Sequence, residues 1–197
     1  MPGGRPRAFD ADAALGRALE VFWRQGFEGT SLTDLTAAMG INRPSLYAAF
    51  GNKDELFAKV LDRYLDGPGA YAVAALAAPT AREVIERLVR GAVELTAGDG
   101  TPHGCLTVNS VHACGPDAAF ARDLALGRRM AGEAALRRRF ERAGDLPGGC
   151  DPGDLARLVH TLTDGIAVQA ASGRSREELD RVAELALLGL LGGQARL

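Results

Sequence analysis

The sequence predicts an all-α protein of about nine helices. Apolar residues recur at helical spacing almost everywhere after residue 10, and no stretch shows the two-residue alternation of a half-buried strand. The periodic stretches are also bounded by capping residues and glycines. Composition agrees, since 47% hydrophobic and 24% charged residues supply both a core and a solvated surface. No apolar run approaches the roughly 18–20 residues that cross a bilayer. The N-terminal MPGGRPRAF lacks the apolar segment of a secretory signal. The expectation is a soluble, cytoplasmic protein with no membrane partner.

Residues 1–9 are rich in Gly, Pro and Arg and read as a basic arm carrying Arg5 and Arg7. Asp10 caps a first helix whose apolar face holds Leu15, Ala18, Leu19, Phe22 and Trp23, and Gly26 ends it. Ser31 caps a second helix reaching Met39, with Asp34 three residues on as a capping-box partner. Gly40 closes it. Asn42 caps a third helix with Pro44 in its first turn, where a missing N–H costs little, and this helix runs to about Phe50. Gly51-Asn52 resets the chain, and Lys53 opens a long helix to about Tyr71. Beyond the breaks at Gly67-Pro68-Gly69 and Ala78-Pro79-Thr80, helices are expected near 81–97, 105–113, 117–143, 152–172 and 176–191. Ser175 and Glu178 form a capping box at the start of the last.

Residues 31–50, SLTDLTAAMGINRPSLYAAF, have the form of a helix-turn-helix. Two short helices meeting steeply need a turn residue that tolerates a left-handed backbone, which Gly40 supplies. Ile41 can pin both helices from the turn, and the small Ala37 and Ala38 suit their crossing. Leu32, Leu35, Leu46 and Phe50 can then bury against the first helix. That leaves Arg43, Ser45 and Tyr47 outward, groups able to donate to phosphates or to base edges in a major groove. The net charge of −2 disfavours a protein that coats polyanions but not one reading DNA through a local surface.

The run from Ala18 to Phe57 closely resembles the DNA-binding domain of TetR/AcrR-family regulators. The landmarks are Phe22–Ser31, the turn Ala37-Met39-Gly40-Ile41, Leu46–Phe50 and Lys53–Leu56. The resemblance implies an N-terminal three-helix DNA-binding domain over 10–52, a fourth helix over 53–71 as connector, and a ligand-binding and dimerisation domain over 72–197. It places Thr30, Ser31 and Thr33 near phosphates, Arg43 and Ser45 toward bases or backbone, and Tyr47 on a phosphate. Lys53 falls at a helix N-terminus, where a cation and free N–H groups suit a phosphate. Pro44 and Ala48-Ala49 depart from the family's usual residues and leave fewer polar groups for DNA, so the basic arm is expected to contribute affinity. The Gly104-Cys105-Leu106 element followed by Asn109 resembles a recurrent subgroup of the family.

Toward the C-terminus, Leu155, Leu158, Val159, Leu162 and Ile166, then Leu179, Val182, Leu185, Leu188 and Leu191, place apolar groups on more than one helix face. One intrachain contact needs one stripe. A second predicts a homodimer, with Leu155, Leu158, Leu162, Ile166, Val182, Leu185 and Leu188 as its contacts, although both stripes could also lie in the monomer's own core. A dimer would space two recognition helices about one DNA turn apart.

Residues 101–115, TPHGCLTVNSVHACG, gather His103, Cys105, Asn109, His112 and Cys114. Several readings stand side by side: a ligand pocket oriented by Asn109 and His112, a thiol switch at Cys105, a metal site, and plain core packing of small thiols. The expected effector-binding set is Cys105, Asn109, His112, Phe120, Leu124, His160 and Asp164, with Thr163 and Gln169 able to add to the lining. Asp164 alternatively sits at interface contacts or faces solvent. Arg128-Arg129, Arg137-Arg138-Arg139 and Arg142 read as a solvated helix face rather than a second DNA surface. An odd number of cysteines without an export signal argues against a disulfide framework. The reading is a ligand-responsive transcriptional regulator, a repressor that holds a near-palindromic operator as a dimer and is released by a small molecule of unspecified identity. It implies no cofactor, no metal and no catalysis. The alternatives are a thiol-dependent redox or electrophile sensor built on Cys105, or a helical cysteine hydrolase.

Overall fold

A computed structural model describes residues 9–112 and 115–192. The arm residues Arg5 and Arg7, together with Cys114, lie outside the described residues. Ten α-helices and two short 3-10 turns make up the regular structure, and no strand occurs among the described residues. The helices are α1 Ala11–Gly29, α2 Leu32–Met39, α3 Arg43–Phe50, α4 Lys53–Asp66, α5 Ala70–Ala75, α6 Ala81–Ala97, α7 Leu106–Val111, α8 Ala119–Glu141, α9 Pro152–Ala171 and α10 Arg176–Gly192.

Local chemistry sets the first four. The Asp10 carboxylate accepts from the N–H groups of Asp12 and Ala13, and α1 kinks at Gly26, whose φ of 71° leaves the helical region. Ser31 and Asp34 close a full capping box on α2, and Gly40 ends that helix in the left-handed conformation at φ 70° and ψ 30°. Asn42 accepts from the Ser45 N–H at the start of α3, and Asn52 with Glu55 boxes the start of α4. Such caps are worth about 1 kcal/mol each.

The long helix anticipated over 53–71 stops at Asp66. The Gly67-Pro68-Gly69 turn interrupts it, because proline can neither donate to nor fit within a continuing helix. Residues 70–75 form the separate helix α5, which raises the count from about nine to ten.

Two clusters of buried side chains organise the chain. The first joins α1 to α4 and takes Leu106 from α7 and Ala121 and Ala125 from α8. It is aromatic: the Phe57 ring meets Phe22 at 5.2 Å and Phe27 at 5.1 Å edge-on, and Trp23 meets Tyr64 at 4.9 Å. The second joins α5, α6, α8, α9 and α10 through Val84, Ile85, Leu88, Val89, Leu136, Val159, Ile166 and a series of alanines. The basic residues of α8 do more than solvate it. The Arg139 guanidinium donates to the carbonyls of Leu76, Ala78 and Pro79, Arg128 pairs with Asp62 of α4, and Arg129 pairs with Asp164 of α9.

Candidate nucleic-acid interface and ligand cavity

The helix-turn-helix is pinned from behind. Leu35 and Leu46 are fully buried under α2 and α3, and Ile41 packs against the same core from the turn. The Arg17 guanidinium donates to the Met39 carbonyl at the end of α2, and Lys59 donates to the Phe50 carbonyl at the end of α3. Cations from α1 and α4 thus satisfy helix C-terminal carbonyls that have no partner within their own helices. Of the two alanines assigned to the helix crossing, Ala38 is partly buried and Ala37 is exposed.

The outward face carries Ser31, Thr33, Arg43 and Tyr47, all exposed, with Ser45 half-buried beside them. Tyr47 is 48% exposed, so its ring stands in solvent rather than in the core. Arg43 donates to the Thr33 hydroxyl at 3.1 Å, which ties α3 to α2 across this face. Thr30 lies elsewhere: it is buried, and its hydroxyl donates to the Gly26 carbonyl at 2.6 Å, so its role is to close the end of α1. Lys53 is partly buried with its ammonium 4.2 Å from the centre of the Phe27 ring, and burial pulls its pKa below the ordinary lysine value.

A cavity of about 200 Å³ opens between α4, α5, α6, α8 and α9. Its wall is mostly apolar, including Leu88, Leu95, Val108, Leu136 and Val159, while Tyr71, Cys105, Arg129, His160, Thr163 and Asp164 bring polar groups to it. Of the residues anticipated for effector binding, Cys105, His160 and Asp164 line it and Asn109, His112, Phe120 and Leu124 do not. Cys105 is the N-cap of α7 with an extended backbone, outside the helical register, and the α7 residues that follow it to the cavity are Thr107 and Val108. Asn109 turns its amide toward Gly104, His112 is exposed, Phe120 is 46% exposed on α8, and Leu124 packs on the aromatic core. Gln169 is exposed as well. Asp164, for which an interface or solvent position was the alternative to the pocket, pairs with Arg129 in the wall.

The sequence reading missed Tyr64, Tyr71, Arg128 and Arg129 as lining residues. The signal available for Tyr71 was Gly91: a Cβ there would stand 2.2 Å from the Tyr71 ring, so the glycine is the notch that seats it. The Tyr64 hydroxyl donates to Cys105 Sγ at 3.2 Å, and Sγ also lies 3.1 Å from the Thr107 hydroxyl. Burial, then the neighbouring Cys105, keeps the Tyr64 phenol protonated far above its ordinary range. Burial lowers the His160 pKa, opposed by the nearby Asp164 carboxylate. Among the described residues no three His, Cys, Asp or Glu side chains converge as metal ligands. None of the helices is long and apolar enough to cross a membrane, again among the described residues.

The wall is tied directly to the helix-turn-helix unit. The Trp23 indole N–H of α1 donates to the Gly104 carbonyl at 2.9 Å, next to Cys105. Gly104 has φ +88°, and a Cβ there would press on Ala171 at 3.0 Å. Glycine is therefore required both by the backbone and by the close approach of α9.

The anticipated dimer contacts divide in two. Leu155 and Ile166 are buried in the chain's own core, and Leu162 packs against it. Leu158, Val182, Leu185 and Leu188 are 48%, 51%, 73% and 69% exposed, with Val168 beside them at 43%. This leaves an uncovered apolar face on α9 and α10.

Residues 14–60 match the family model for bacterial regulatory proteins of the tetR family. Over 185 residues, covering 91% of this chain and 88% of the relative, the sequence is 34% identical to the HTH-type transcriptional repressor ComR of Escherichia coli (strain K12). The chain belongs to the TetR family. A second relative in this family, the repressor BdcR of the same organism, is 31% identical over 186 residues, covering 93% of this chain and 90% of the relative. A solved structure of a cysteine mutant of the TetR family regulator CifR, complexed with 26-bp double-strand operator DNA, superposes with a TM-score of 0.88 at 42% identity and covers 95% of this chain and 100% of that one. A putative TetR regulator from Rhodococcus sp. RHA1 is 45% identical with a TM-score of 0.60, covering 92% and 98% of the two chains.

Proposed function

We propose that this TetR-family chain is a ligand-responsive transcriptional repressor that binds a near-palindromic operator as a homodimer. The observation that carries the reading is the outward face of α2 and α3. Thr33, Arg43 and Tyr47 stand exposed on a unit whose opposite face is buried and whose helix ends are capped by Arg17 and Lys59. In this reading residues 10–52 read DNA, α4 connects, and the helices from α5 onward sense and dimerise. Ser31 and Ser45 join the contacts, Lys53 anchors a flanking phosphate, and Thr30 supports the site from within.

Dimerisation follows from the exposed face of α9 and α10. A chain that leaves Leu158, Val182, Leu185 and Leu188 open to water lowers its free energy by pairing that face with a twin. Leu185→Glu is expected to yield a monomer by analytical ultracentrifugation, with operator affinity lost along with it.

Release works by population shift, since an effector that favours one arrangement of the dimer's reading heads over the other changes operator affinity by the difference. Trp23 bonded to Gly104, Tyr64 bonded to Cys105 and Arg128 paired with Asp62 are contacts through which the cavity wall meets α1 and α4.

Selection from a random duplex pool tests the DNA role. An enriched near-palindrome supports it, and no enrichment by a folded dimer sinks it. Tyr47→Phe is expected to weaken all sites about equally, as a phosphate contact does. Deleting residues 2–8 should lower affinity and flatten its salt dependence.

A second reading is favoured by one observation: Cys105 Sγ lies in the cavity wall and accepts from the Tyr64 hydroxyl. An electrophile entering the cavity would then reach the thiol directly. Mass spectrometry of iodoacetamide-treated protein, read beside operator release and repeated in Cys105→Ser, tests this. Alkylation at Cys105 without release would refute it.

A further inference from the structure

The polar groups of the cavity discriminate by charge, an inference that rests on reading the cavity as the effector site. Each cation at the wall already has a partner. Arg128 donates to Asp62 at 2.6 Å, and Arg129 pairs with Asp164, whose side chains are 20% and 31% exposed. Arg128 and Asp62 are 45% and 53% exposed, so the cost concentrates at the other pair, where a carboxylate would have to draw Arg129 from Asp164 and an ammonium would have to draw Asp164 from Arg129. Either strands a partly buried charge, and breaking such a pair costs more than forming it contributes.

Two polar side chains of the lining are differently placed. The Tyr71 hydroxyl and the His160 ring make no hydrogen bond to any described residue. Neither is sealed away, because no fully buried side-chain nitrogen or oxygen among the described residues lacks a partner. Both groups therefore open to the cavity. Asp164 acts electrostatically on both, and Cys105 acts on Tyr71, which puts the two at the Cys105–Asp164 end. Burial holds the phenol protonated, so it is a donor, and holds the imidazole toward its neutral form, so it keeps an accepting nitrogen.

The remaining wall is hydrocarbon, from Leu65, Ala72, Leu88, Leu95, Leu136 and Val159. The space is about 200 Å³. That falls below the range of about 300–1,000 Å³ typical of drug-sized sites.

We propose that the cavity selects a small uncharged molecule with an apolar body and one hydroxyl oxygen, which accepts from the Tyr71 hydroxyl and donates to His160. A phenol or a compact alcohol has this chemistry. The corresponding acid or amine does not, because neither enters without disturbing the Arg129–Asp164 pair.

Titration calorimetry on the full-length dimer, with 4-methylphenol, 4-methylbenzoate and 4-methylbenzylamine as probes, decides the matter. The phenol is expected to bind and the two ions to bind at least tenfold more weakly. Tyr71→Phe keeps the ring seated against Gly91 and should weaken the phenol about tenfold, whereas Ala92→Leu, which fills the space, should abolish binding. Equal or tighter binding of the benzoate or the benzylamine, blocked by Ala92→Leu, overturns the charge selectivity and leaves the effector site standing. An unchanged phenol affinity in Tyr71→Phe overturns the assigned donor. No binding of any probe by a dimer that still holds operator DNA overturns both this selectivity and the cavity's sensing role.

Discussion

The two cores of this molecule differ in the material that fills them. The one beneath the helix-turn-helix is aromatic: Phe57 meets Phe22 and Phe27 edge-on, Trp23 meets Tyr64 edge-on, and of these five rings only Tyr64 reaches the cavity. The one beneath α6, α9 and α10 is mainly aliphatic and rich in alanine, with Phe140 the aromatic ring among its buried residues, and it borders the 200 Å³ cavity. Large rings in fixed geometry allow few alternative packings, whereas small side chains around open space allow several. Under the proposed function, the difference assigns rigidity to the part that would present Arg43 and Tyr47 in one arrangement, and tolerance to the part that would accommodate an effector.

The largest expected effect tests that contrast directly. Phe57→Ala should cost about 3–5 kcal/mol in urea unfolding, and Leu88→Ala, whose side chain already borders open space, about 2 kcal/mol. Equal losses would erase the distinction between the cores. Next comes Gly91→Ala. Its methyl would collide with the Tyr71 ring at 2.2 Å, so about 1–3 kcal/mol of overpacking cost is expected. Calorimetry should show effector binding lost before DNA binding.

Ser31→Ala removes one half of the α2 capping box. A loss of about 1 kcal/mol is expected, with operator affinity falling further than a core change of equal cost would make it. The smallest effect concerns His160. Its pKa lies below the ordinary 6.5 because burial disfavours the cation. Folding therefore favours the neutral form, and the stability linked to it is full above pH 6.5 and declines as pH falls toward the lowered value. His160→Gln should flatten the decline in unfolding free energy between pH 7 and pH 5, with little change at pH 8.

The helix-turn-helix was legible because its signals are local. Ser31 with Asp34, Asn42 and Gly40 each act within three or four residues, and all four occupy the conformations their chemistry favours. The C-terminal helices were legible as helices, but their faces were not. Leu155 and Leu158 both look like candidate contacts in the sequence, yet one is buried in the core and the other half exposed, because α6 covers only one side of α9.

By itself, then, the sequence determined the helical class, the DNA-reading motif with its caps, and the surplus of apolar residues on α9 and α10. Periodicity and capping are properties of neighbouring residues along one chain. Only the tertiary structure decided the cavity. Tyr64, Tyr71, Cys105, Arg129 and Asp164 come from α4, α5, the start of α7, α8 and α9, and they converge because packing sets the azimuth of each helix. Asn109 and His112 share a segment with Cys105 and still miss the site. Cys105 is the N-cap with an extended backbone, outside the helical register, so the α7 side chains that join it at the cavity are Thr107 and Val108 rather than Asn109.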